Sequence, residues 1–527
     1  MSGDSKPAKK RGGIPAVIPG VLHCTDMGNA ERFVAQHRDS MRYSPQRRKW
    51  LLWTGERWEL DETGKVYQLA KETVRSIYVE ASRAPSKDQS QALAKHAGRS
   101  ESAERIAAMV KLASTEQGVA IMVDQLDADP WTLNAPNGTV DLRTGELRDH
   151  RRSDLITKST LVPFTPGAQS ELWSRVLHDA TAGDMSLATY LQRMVGYSLI
   201  GEPLERVLFF LFGEPGTVKS TLIEAFHSAL GDYARSADSE TWLARQTIGG
   251  NRGDLVCLAG ARLVTSVEVR KGAKWDEALI KRVTGGDEIT AAAKYEGEIT
   301  FRPSFTLVLA ANDAPRARDD DGGMWARMRR IPLTAVIPPE KQDPTIKARL
   351  REPEHASAVL AWAVAGCLDY QREGFGRCAA VERSTADYRE ENDLIGAFFG
   401  ECCAFDADAS VARATLRQAY ETWARENGIR HPASARDFAA KLRTLGAIEG
   451  KSNGARVWKR VRILDADEEP QGHQGHIGTP ITEKPSSRET AKKDSQGTTP
   501  RSDPGAPVRP RQVSLDPDTG ELVEVEL

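Results

Sequence analysis

The segment that most restricts the fold is Arg206–Gly231, RVLFFLFGEPGTVKSTLIEAFHSALG. It opens with an almost unbroken apolar run, which is typical of a parallel strand buried on both faces. A glycine-containing turn follows, and from Lys219 apolar residues recur at helical spacing until Gly231. The pattern predicts a strand, a loop and a helix at the centre of a parallel sheet.

The loop is close to the phosphate-binding pattern G-x-x-x-x-G-K-[ST], with Val218 in place of the second glycine. In such loops backbone N–H groups and the helix N-terminus hold phosphates. The lysine contacts the β- and γ-phosphates, and the hydroxyl after it binds Mg²⁺. A β-branched residue before the lysine risks a strained φ and a bulky neighbour. The candidate nucleotide-binding residues are Gly213, Glu214, Pro215, Gly216, Thr217, Val218, Lys219, Ser220 and Thr221.

Short matches to this loop are common by chance. The prediction of a nucleotide site therefore depends on features further along the chain. A second strand-like segment, ARLVTSVEV, ends near Glu268, and a third, FTLVLAANDAP, ends at Asn312. An acid in the first position could orient water and support a metal, and an amide in the second could contact phosphate or water. Taken singly, these are ordinary residues: a solvated glutamate and a turn asparagine. MWARMRRIPL then brings Arg327, Arg329 and Arg330 before a further apolar run, where a basic surface is the simpler explanation.

In this order, the features resemble the superfamily 3 helicase core of phage, plasmid and poxvirus primase-helicases. The stretch KGAKWDEALIKRVTGGDEITAAAKYEGEITFRPSF is similar to the family's segment between its acidic strand and its asparagine strand, including G-G-D at Gly285, Gly286 and Asp287. The resemblance implies an α/β fold with a P-loop, AAA+-like core. It implies that Glu268 activates water, and that Lys294 lies at the tip of a DNA-contacting hairpin. A solvated turn lysine remains the alternative for Lys294.

The resemblance also implies an ATP- and Mg²⁺-dependent DNA helicase that translocates on single-stranded DNA as a homo-oligomeric ring, expected to be a hexamer. Metal ligands would be Ser220 and Glu268. Arg327, with Arg329 as the fallback, would be the arginine finger, which contacts the ATP of a neighbouring subunit. The family usually has W-R-R where this chain has Trp325, Ala326 and Arg327. Because Val218 and Ala326 both depart from the pattern, a catalytically weak or inactive DNA-binding assembly factor is the alternative. A small-molecule kinase is a distant third hypothesis.

Composition shifts along the chain predict its domains. KWLLWTGERWEL reads as a β-hairpin, and the turns in WTLNAPNGTVDLRTGEL predict short strands. The last part is rich in Pro, Gly, Ser, Thr and charge, which predicts a disordered tail. The predicted divisions are a flexible leader (1–20), a mainly helical N-terminal region (21–204), the ATPase core (205–335), a helical connector (336–393), a winged helix (394–464) and the tail (465–527).

The winged helix is expected from two helices followed by a hairpin with an Asn-Gly turn. Its clustered cations favour contact with the phosphates of duplex DNA, although a module that only packs on the core is the alternative. The candidate DNA-binding residues here are Arg436, Lys441, Arg443, Lys451, Arg456 and Lys459, with Arg460 beside them.

The whole chain is nearly neutral, with 72 Lys+Arg against 74 Asp+Glu, which argues against binding nucleic acid through bulk charge. The six cysteines form no C-x-x-C pair, and we identify no primase centre, so a separate primase is an expected partner. No apolar run approaches the roughly 20 residues that cross a bilayer. We therefore expect a cytoplasmic protein without a membrane partner, encoded by a phage, prophage or plasmid in a bacterial host.

Overall fold

The computed structural model divides the chain into two compact units, residues 1–471 and 472–527. The structure describes residues 23–245, 252–292, 298–317, 322–427, 429, 432–452 and 454–464, and the backbone of 512–515 and 522–525. The predicted leader, Lys294 and most of the predicted tail lie outside the described residues.

The centre of the first unit is a five-stranded parallel sheet in the order β13-β7-β12-β9-β8. Phe209 and Leu211 on β7 pack into one hydrophobic cluster, whereas Leu208 and Phe210 pack into another. Because β7 is covered on both faces, its sequence is apolar at successive positions, as predicted. The strands are β7 (Leu208–Phe212), β8 (Ala234–Ser236), β9 (Leu263–Val267), β12 (Thr306–Ala311) and β13 (Met328–Pro332).

Short helices and one hairpin join these strands. The hairpin follows the G-G-D residues, and its predicted basic tip, 293–297, lies outside the described residues. The connecting elements are α7 (Lys219–Leu230), α8 (Gly253–Val256), α9 (Glu277–Gly285), the antiparallel pair β10 (Ile289–Ala292) and β11 (Glu298–Phe301), and α10 (Gly323–Arg327).

The N-terminal part combines helices with two three-stranded antiparallel sheets. Both the tryptophan-rich hairpin and the short strands after Trp131 form as predicted. The elements are α1 (Asp26–His37), β1 (Met41–Ser44), β2 (Lys49–Trp53), β3 (Trp58–Leu60), α2 (Lys65–Ser82), α3 (Lys87–Ser100), α4 (Ala103–Ala113), β4 (Thr132–Ala135), β5 (Gly138–Asp141), β6 (Glu146–Arg148), α5 (Glu171–Thr181) and α6 (Met185–Ser198).

Arg262 anchors this N-terminal part to the parallel sheet. Its guanidinium is buried and donates to the carbonyl of Leu199 at 2.6 Å and to that of Thr132 at 2.8 Å. It also lies over the ring of Tyr233, 4.6 Å from the centroid. A buried charge needs such partners, so these contacts fix the positions of α6 and β4 relative to β9.

After the parallel sheet, α12 packs closely against α6. Gly196 and Gly366 lie where the two backbones approach each other. A Cβ on Gly366 would lie 2.1 Å from the carbonyl oxygen of Gln192, and one on Gly196 would lie 2.1 Å from the amide nitrogen of Cys367. The helices of this connector are α11 (Ile346–Leu350), α12 (Pro353–Glu373) and α13 (Ala379–Asn392).

Residues 394–464 have their own hydrophobic cluster, which includes Phe398, Tyr420, Phe438 and Trp458. In the described part of this segment three helices precede the hairpin, namely the two predicted helices, α15 and α16, and the additional helix α14. Three strands form a sheet in the order β15-β17-β16, and β14 pairs with β18. The elements are α14 (Leu394–Cys402), β14 (Cys403–Ala404), β15 (Ser410–Ala412), α15 (Arg413–Glu426), α16 (Ala435–Thr444), β16 (Ile448–Ser452), β17 (Ala455–Lys459) and β18 (Arg462–Ile463).

In the second unit the structure describes one antiparallel pair, β19 (Gln512–Leu515) and β20 (Leu522–Val525). The rest of the predicted disordered tail lies outside the described residues. Among the described residues, none of the helices has the length and apolar character needed to cross a membrane.

We expect Gly366→Ala to destabilise the protein, because the added methyl group meets backbone rather than a movable side chain. The expected loss is about 1–3 kcal/mol, the usual range for overpacking, read from urea unfolding. Gly98→Ala in α3 is the matched control, since its Cβ meets only the Tyr78 hydroxyl at 3.5 Å. Better helix propensity should raise its stability by about 0.8–1 kcal/mol. Equal effects of the two substitutions would contradict the close packing of α6 and α12.

Candidate nucleotide-binding site

The predicted phosphate loop joins the end of β7 to the start of α7. Gly216 has a φ of +87°, a conformation that L side chains rarely adopt. Gly213 lacks room for a side chain, because a Cβ there would lie 2.1 Å from the carbonyl oxygen of Leu333. The loop therefore depends on glycine at both positions.

Val218 does not strain the loop. Its backbone has φ −78° and ψ 15°, so this position needs none of the conformational freedom of glycine. Its side chain is only 4% exposed and packs into the cluster shared with Leu222 of α7. The expected risk of a positive φ is thus not realised, and the bulk of valine is accommodated by the core.

Lys219 is held by the loop that it follows. Its Nζ donates to the carbonyl of Gly213 at 2.7 Å, to that of Glu214 at 2.9 Å and to Oγ1 of Thr217 at 2.8 Å. Burial lowers the pKa of Lys219 from its usual value, while the charge of Glu214 acts in the opposite direction. The three donors of the ammonium group thus have three loop oxygens as partners, and a phosphate would have to replace some of them.

The first turn of α7 presents Ser220 on its exposed side and Thr221 on its buried side. Free N–H groups and the helix dipole give a helix N-terminus a partial positive charge. The exposed hydroxyl of Ser220 is therefore placed where an anion and its counter-cation would be bound.

Glu268 and Asn312 follow neighbouring strands and lie at the same edge of the sheet as the loop. β12 pairs in parallel with both β7 and β9, with Ala311 opposite Phe212 and Ala310 opposite Val267. Neighbouring strands are about 4.8 Å apart. The register therefore brings the predicted acid and amide together beside the phosphate loop, and both residues are exposed there.

The backbone of Glu268 is in an unusual conformation. Its φ is +60°, in the left-handed region that few residues other than glycine adopt, and its N–H donates to the carbonyl of Ala310 at 3.0 Å. Such conformations cost of order 1–3 kcal/mol and concentrate at functional sites. Glu268 is one of six described non-glycine residues with a positive φ, and it is the one among them that directly follows a strand of the parallel sheet.

The three arginines near β13 have different surroundings. Arg327 donates from Nε to Oγ1 of Thr284 at 3.0 Å and from Nη1 to the carbonyl of Gly323 at 2.7 Å. Because Met328 pairs with Leu208 at the start of β7, Arg327 lies at the opposite edge of the sheet from the loop. Each strand residue rises by about 3.3 Å, so Arg327 is out of reach of the loop in its own chain.

Arg330 is buried and has a structural role. Its guanidinium donates to both carboxylate oxygens of Glu391 at 3.2 Å and lies over the ring of Phe212, 3.8 Å from the centroid. Arg329 is half-buried and donates to the carbonyls of Ala326 and Met328, both at 2.9 Å. Of the three, Arg330 is thus committed to holding α13 against the sheet.

Sequence reasoning missed a segment that covers the loop, residues 333–342. The N–H of Leu333 donates to the carbonyl of Phe212 at 2.7 Å, and that of Ile337 donates to the carbonyl of Gly216 at 3.2 Å. A Cβ on Gly216 would lie 3.3 Å from Cγ1 of Val336. Only the Pro338–Pro339 pair marks this segment in the sequence, and it indicates no function.

The chain is similar to two known families and to several viral proteins. Residues 30–182 match a family described as D5 N terminal like, and residues 211–330 match a family of unknown function (DUF5906). Two relatives bear the name "Putative helicase". L207/L206 of Acanthamoeba polyphaga mimivirus is 23% identical over 297 residues, covering 52% of this chain and 31% of the relative. Protein 022R of Frog virus 3 (isolate Goorha) is 23% identical over 411 residues, covering 62% of this chain and 42% of the relative.

These matches support the predicted resemblance to phage and viral primase-helicases. The chain spans less than half the length of these curated relatives. A third relative with a helicase name, V13 of Sputnik virophage, is 28% identical over 142 residues, covering 25% of this chain and 18% of the relative. All three of these relatives thus bear helicase names, at 23–28% identity to this chain.

Among solved structures, the apo C-terminal region of NrS-1 is similar, with a TM-score of 0.44 and 11% identity. The match covers 80% of this chain and 95% of that one. At this TM-score the likeness bears on neither the site nor its chemistry.

The cations predicted to bind DNA are divided by their surroundings. Lys441 pairs with Asp393, and Arg443 pairs with Glu449 at 2.5 Å, so both have partners within the chain. The other predicted residues of this part are exposed, and Lys451 lies opposite Arg456 on the hairpin. The exposed ones are Arg436, Lys451, Arg456, Lys459 and Arg460.

Val218→Gly should lower stability without improving the site. Burying a valine side chain stabilises a protein by about 2 kcal/mol, and glycine adds backbone freedom to the unfolded chain. We expect a lower urea midpoint and no gain in the affinity of the protein for ATP, with Val218→Ala intermediate in stability. Tighter ATP binding by the glycine variant would mean that the native backbone does impair the loop.

Proposed function

We propose that this protein is an ATP-dependent DNA helicase with a superfamily 3 core, which translocates on single-stranded DNA as a ring. The observation that supports the proposal is the parallel register of β7, β9 and β12, because the strands that precede the Lys219 loop, Glu268 and Asn312 all end at one edge of the sheet. A phosphate loop, an acid and an amide on adjacent strand ends provide the groups needed to bind a triphosphate and to position water.

In this proposal the loop amides and Lys219 hold the phosphates of ATP. Ser220 and Glu268 supply a hydroxyl and a carboxylate, which suit Mg²⁺ as oxygen ligands. Among the described residues, no three His, Cys, Asp or Glu side chains form a metal-binding cluster, so phosphate oxygens and water would complete the coordination. Bound Mg²⁺ would neutralise charge on the phosphates.

Glu268 would orient the attacking water, and Asn312 would contact the γ-phosphate or that water. The exposure of both side chains and the left-handed backbone of Glu268 support these roles. Backbone strain of this kind concentrates at functional sites, which favours a catalytic role for Glu268.

Arg327 would act on the ATP of a neighbouring subunit. Its place at the far edge of the sheet supports action in trans and disfavours action in cis. In a ring, the sheet edge with Arg327 of one subunit would meet the sheet edge with the phosphate loop of the next, which would complete every site. A hexamer is the expected size.

For DNA binding we propose two regions. The β10–β11 hairpin would carry Lys294 into the ring channel. Residues 394–464 would act as a winged helix on duplex DNA, and their order of helices and strands supports this assignment. Because Lys441 and Arg443 are paired within the chain, the phosphate contacts would come mainly from Arg436, Lys451, Arg456 and Lys459. A separate primase would supply primers.

We expect Lys219→Ala and Glu268→Gln to abolish DNA-stimulated ATP hydrolysis, measured as phosphate release. Losing a positioned general base costs about 10²–10⁴ in rate. Glu373→Gln is the matched control, since this exposed carboxylate lies at the end of α12, far along the chain from the site. The alternative, an assembly factor without hydrolysis, predicts no turnover in the unsubstituted protein and the same DNA binding in all variants.

A mixing experiment should identify the arginine that acts in trans. Arg327→Ala alone should lose about 10³–10⁵ in turnover. A mixture of Arg327→Ala and Lys219→Ala subunits should recover activity. Some sites then combine the intact loop of an Arg327→Ala subunit with the intact arginine of a neighbouring Lys219→Ala subunit. The control mixture, Lys219→Ala with Glu268→Gln, should stay inactive, since no subunit has both residues. No recovery in the first mixture would exclude the trans role of Arg327, and recovery with Arg329→Ala would transfer the role to that residue.

A further inference from the structure

A concentration of positive charge lies on the first β-sheet, far along the chain from the residues already assigned to DNA. Arg47, Arg48 and Lys49 are consecutive and exposed at the turn between β1 and β2. Among the described residues, none of the carboxylates lies within 4 Å of their charged nitrogens. Within the described part of the chain these three cations are thus exposed and have no acidic partner at ion-pair distance.

The strand register places one further cation, Arg42, on the same side of the sheet as Lys49. Ser44 lies opposite Lys49 and Arg42 lies opposite Leu51, so Arg42 and Lys49 are diagonal neighbours on one face of the sheet. Such neighbours are about 7–8 Å apart. The guanidinium of Arg42 is fixed over the ring of Trp58, 4.7 Å from the centroid, and donates to the carbonyl of Met41 at 2.7 Å.

Arg152 joins this group from another part of the chain. Its carbonyl accepts a hydrogen bond from Nε1 of Trp58 at 2.9 Å, and its side chain is exposed. Burial lowers the pKa of Arg42, and the charges of Arg38 and Arg152 lower it further, against the opposing charge of Asp39. The fold thus holds cations close enough to repel one another. We name the set Arg42, Arg47, Arg48, Lys49 and Arg152 the basic face.

Both sides of this sheet also contribute to the core. Met41 and Leu52 pack on one side with Val66, Ala70 and Val74 of α2. On the side of Arg42, Leu51 and Trp58 pack with Ile121 and Leu126, so the cations of the basic face lie around the rim of this packing.

Asp39 offsets part of the repulsion around Arg42, and an anionic partner would relieve the rest. Four of the five cations are arginine, whose planar guanidinium suits phosphate oxygens. Since the whole chain is nearly neutral, this cluster is a local feature rather than a result of composition.

We propose that the basic face binds the phosphate backbone of DNA as a contact surface separate from residues 394–464. The proposal rests on the proposed function, because DNA is the polyanion on which such a protein would act. It gives the N-terminal part a role in DNA binding. The proposed function assigns such a role only to the β10–β11 hairpin and to residues 394–464.

The test is the salt dependence of DNA affinity in the full chain, measured by fluorescence anisotropy with a single-stranded and a duplex oligonucleotide. The variant Arg47→Ala/Arg48→Ala/Lys49→Ala should weaken binding and make the slope of log K against log salt shallower. Three lost phosphate contacts correspond to a change of about 2 for a single strand and about 3 for a duplex. The oligonucleotide whose slope changes identifies the form of DNA bound.

The matched control is Lys65→Ala/Lys71→Ala/Arg75→Ala, which removes the same charge from exposed positions of α2. It should leave the slope unchanged. Equal slopes for the two triple variants would overturn the basic face as a specific contact. If Lys451→Ala/Arg456→Ala lost affinity for DNA and the basic-face variant did not, the basic face would also be overturned as a DNA contact. The proposed function would then remain intact. If the unsubstituted chain binds neither oligonucleotide, both proposals fail.

Discussion

The parallel hydrogen-bonded ladder of β7, β12 and β9 is the constraint on which the candidate site depends. In this ladder Phe212 lies beside Ala311, and Ala310 lies beside Val267. Everything that follows these strands must therefore emerge at one edge. A slip of one residue in β12 would turn its side chains to the wrong clusters, and the free energy of core packing opposes this. Hydrophobic burial thus sets the position of polar residues that contribute nothing to it.

The elements of this core could be predicted from sequence because their signals are local. An apolar run, a glycine turn and a helical repeat stand next to one another at Phe212–Lys219, and the acid and the amide directly follow their strands. Contacts across the fold had no such signal. The cover formed by residues 333–342 depends on how distant segments meet. The sequence also could not show whether Val218 strains the loop. Its φ is set by the turn and its burial by the surrounding core, and neither is visible in the local pattern.

Charge was the least predictable property. In the run Arg327-Met328-Arg329-Arg330, the sequence pattern does not distinguish an exposed finger from a buried anchor, because side chains alternate and only the fold decides which face is covered. Arg330 meets Phe212 and Glu391, from elements before and after it. Likewise, Lys441 and Arg443 belong to a basic helix, yet their acids come from outside it. A count of cations in a segment therefore overstates how many can meet DNA.

The resting contacts of Lys219 also bear on how a nucleotide could enter. The ammonium group already has three partners in the loop, so a phosphate would exchange hydrogen bonds rather than add them. The net gain must then come from the charge of the phosphate in a partly buried site. The carbonyl of Gly216 accepts from Ile337, and Gly213 lies against the carbonyl of Leu333, so the loop backbone cannot shift without the segment that covers it. Nucleotide binding should accordingly reorient the lysine side chain and leave the loop backbone in place, which is the behaviour of a preformed site.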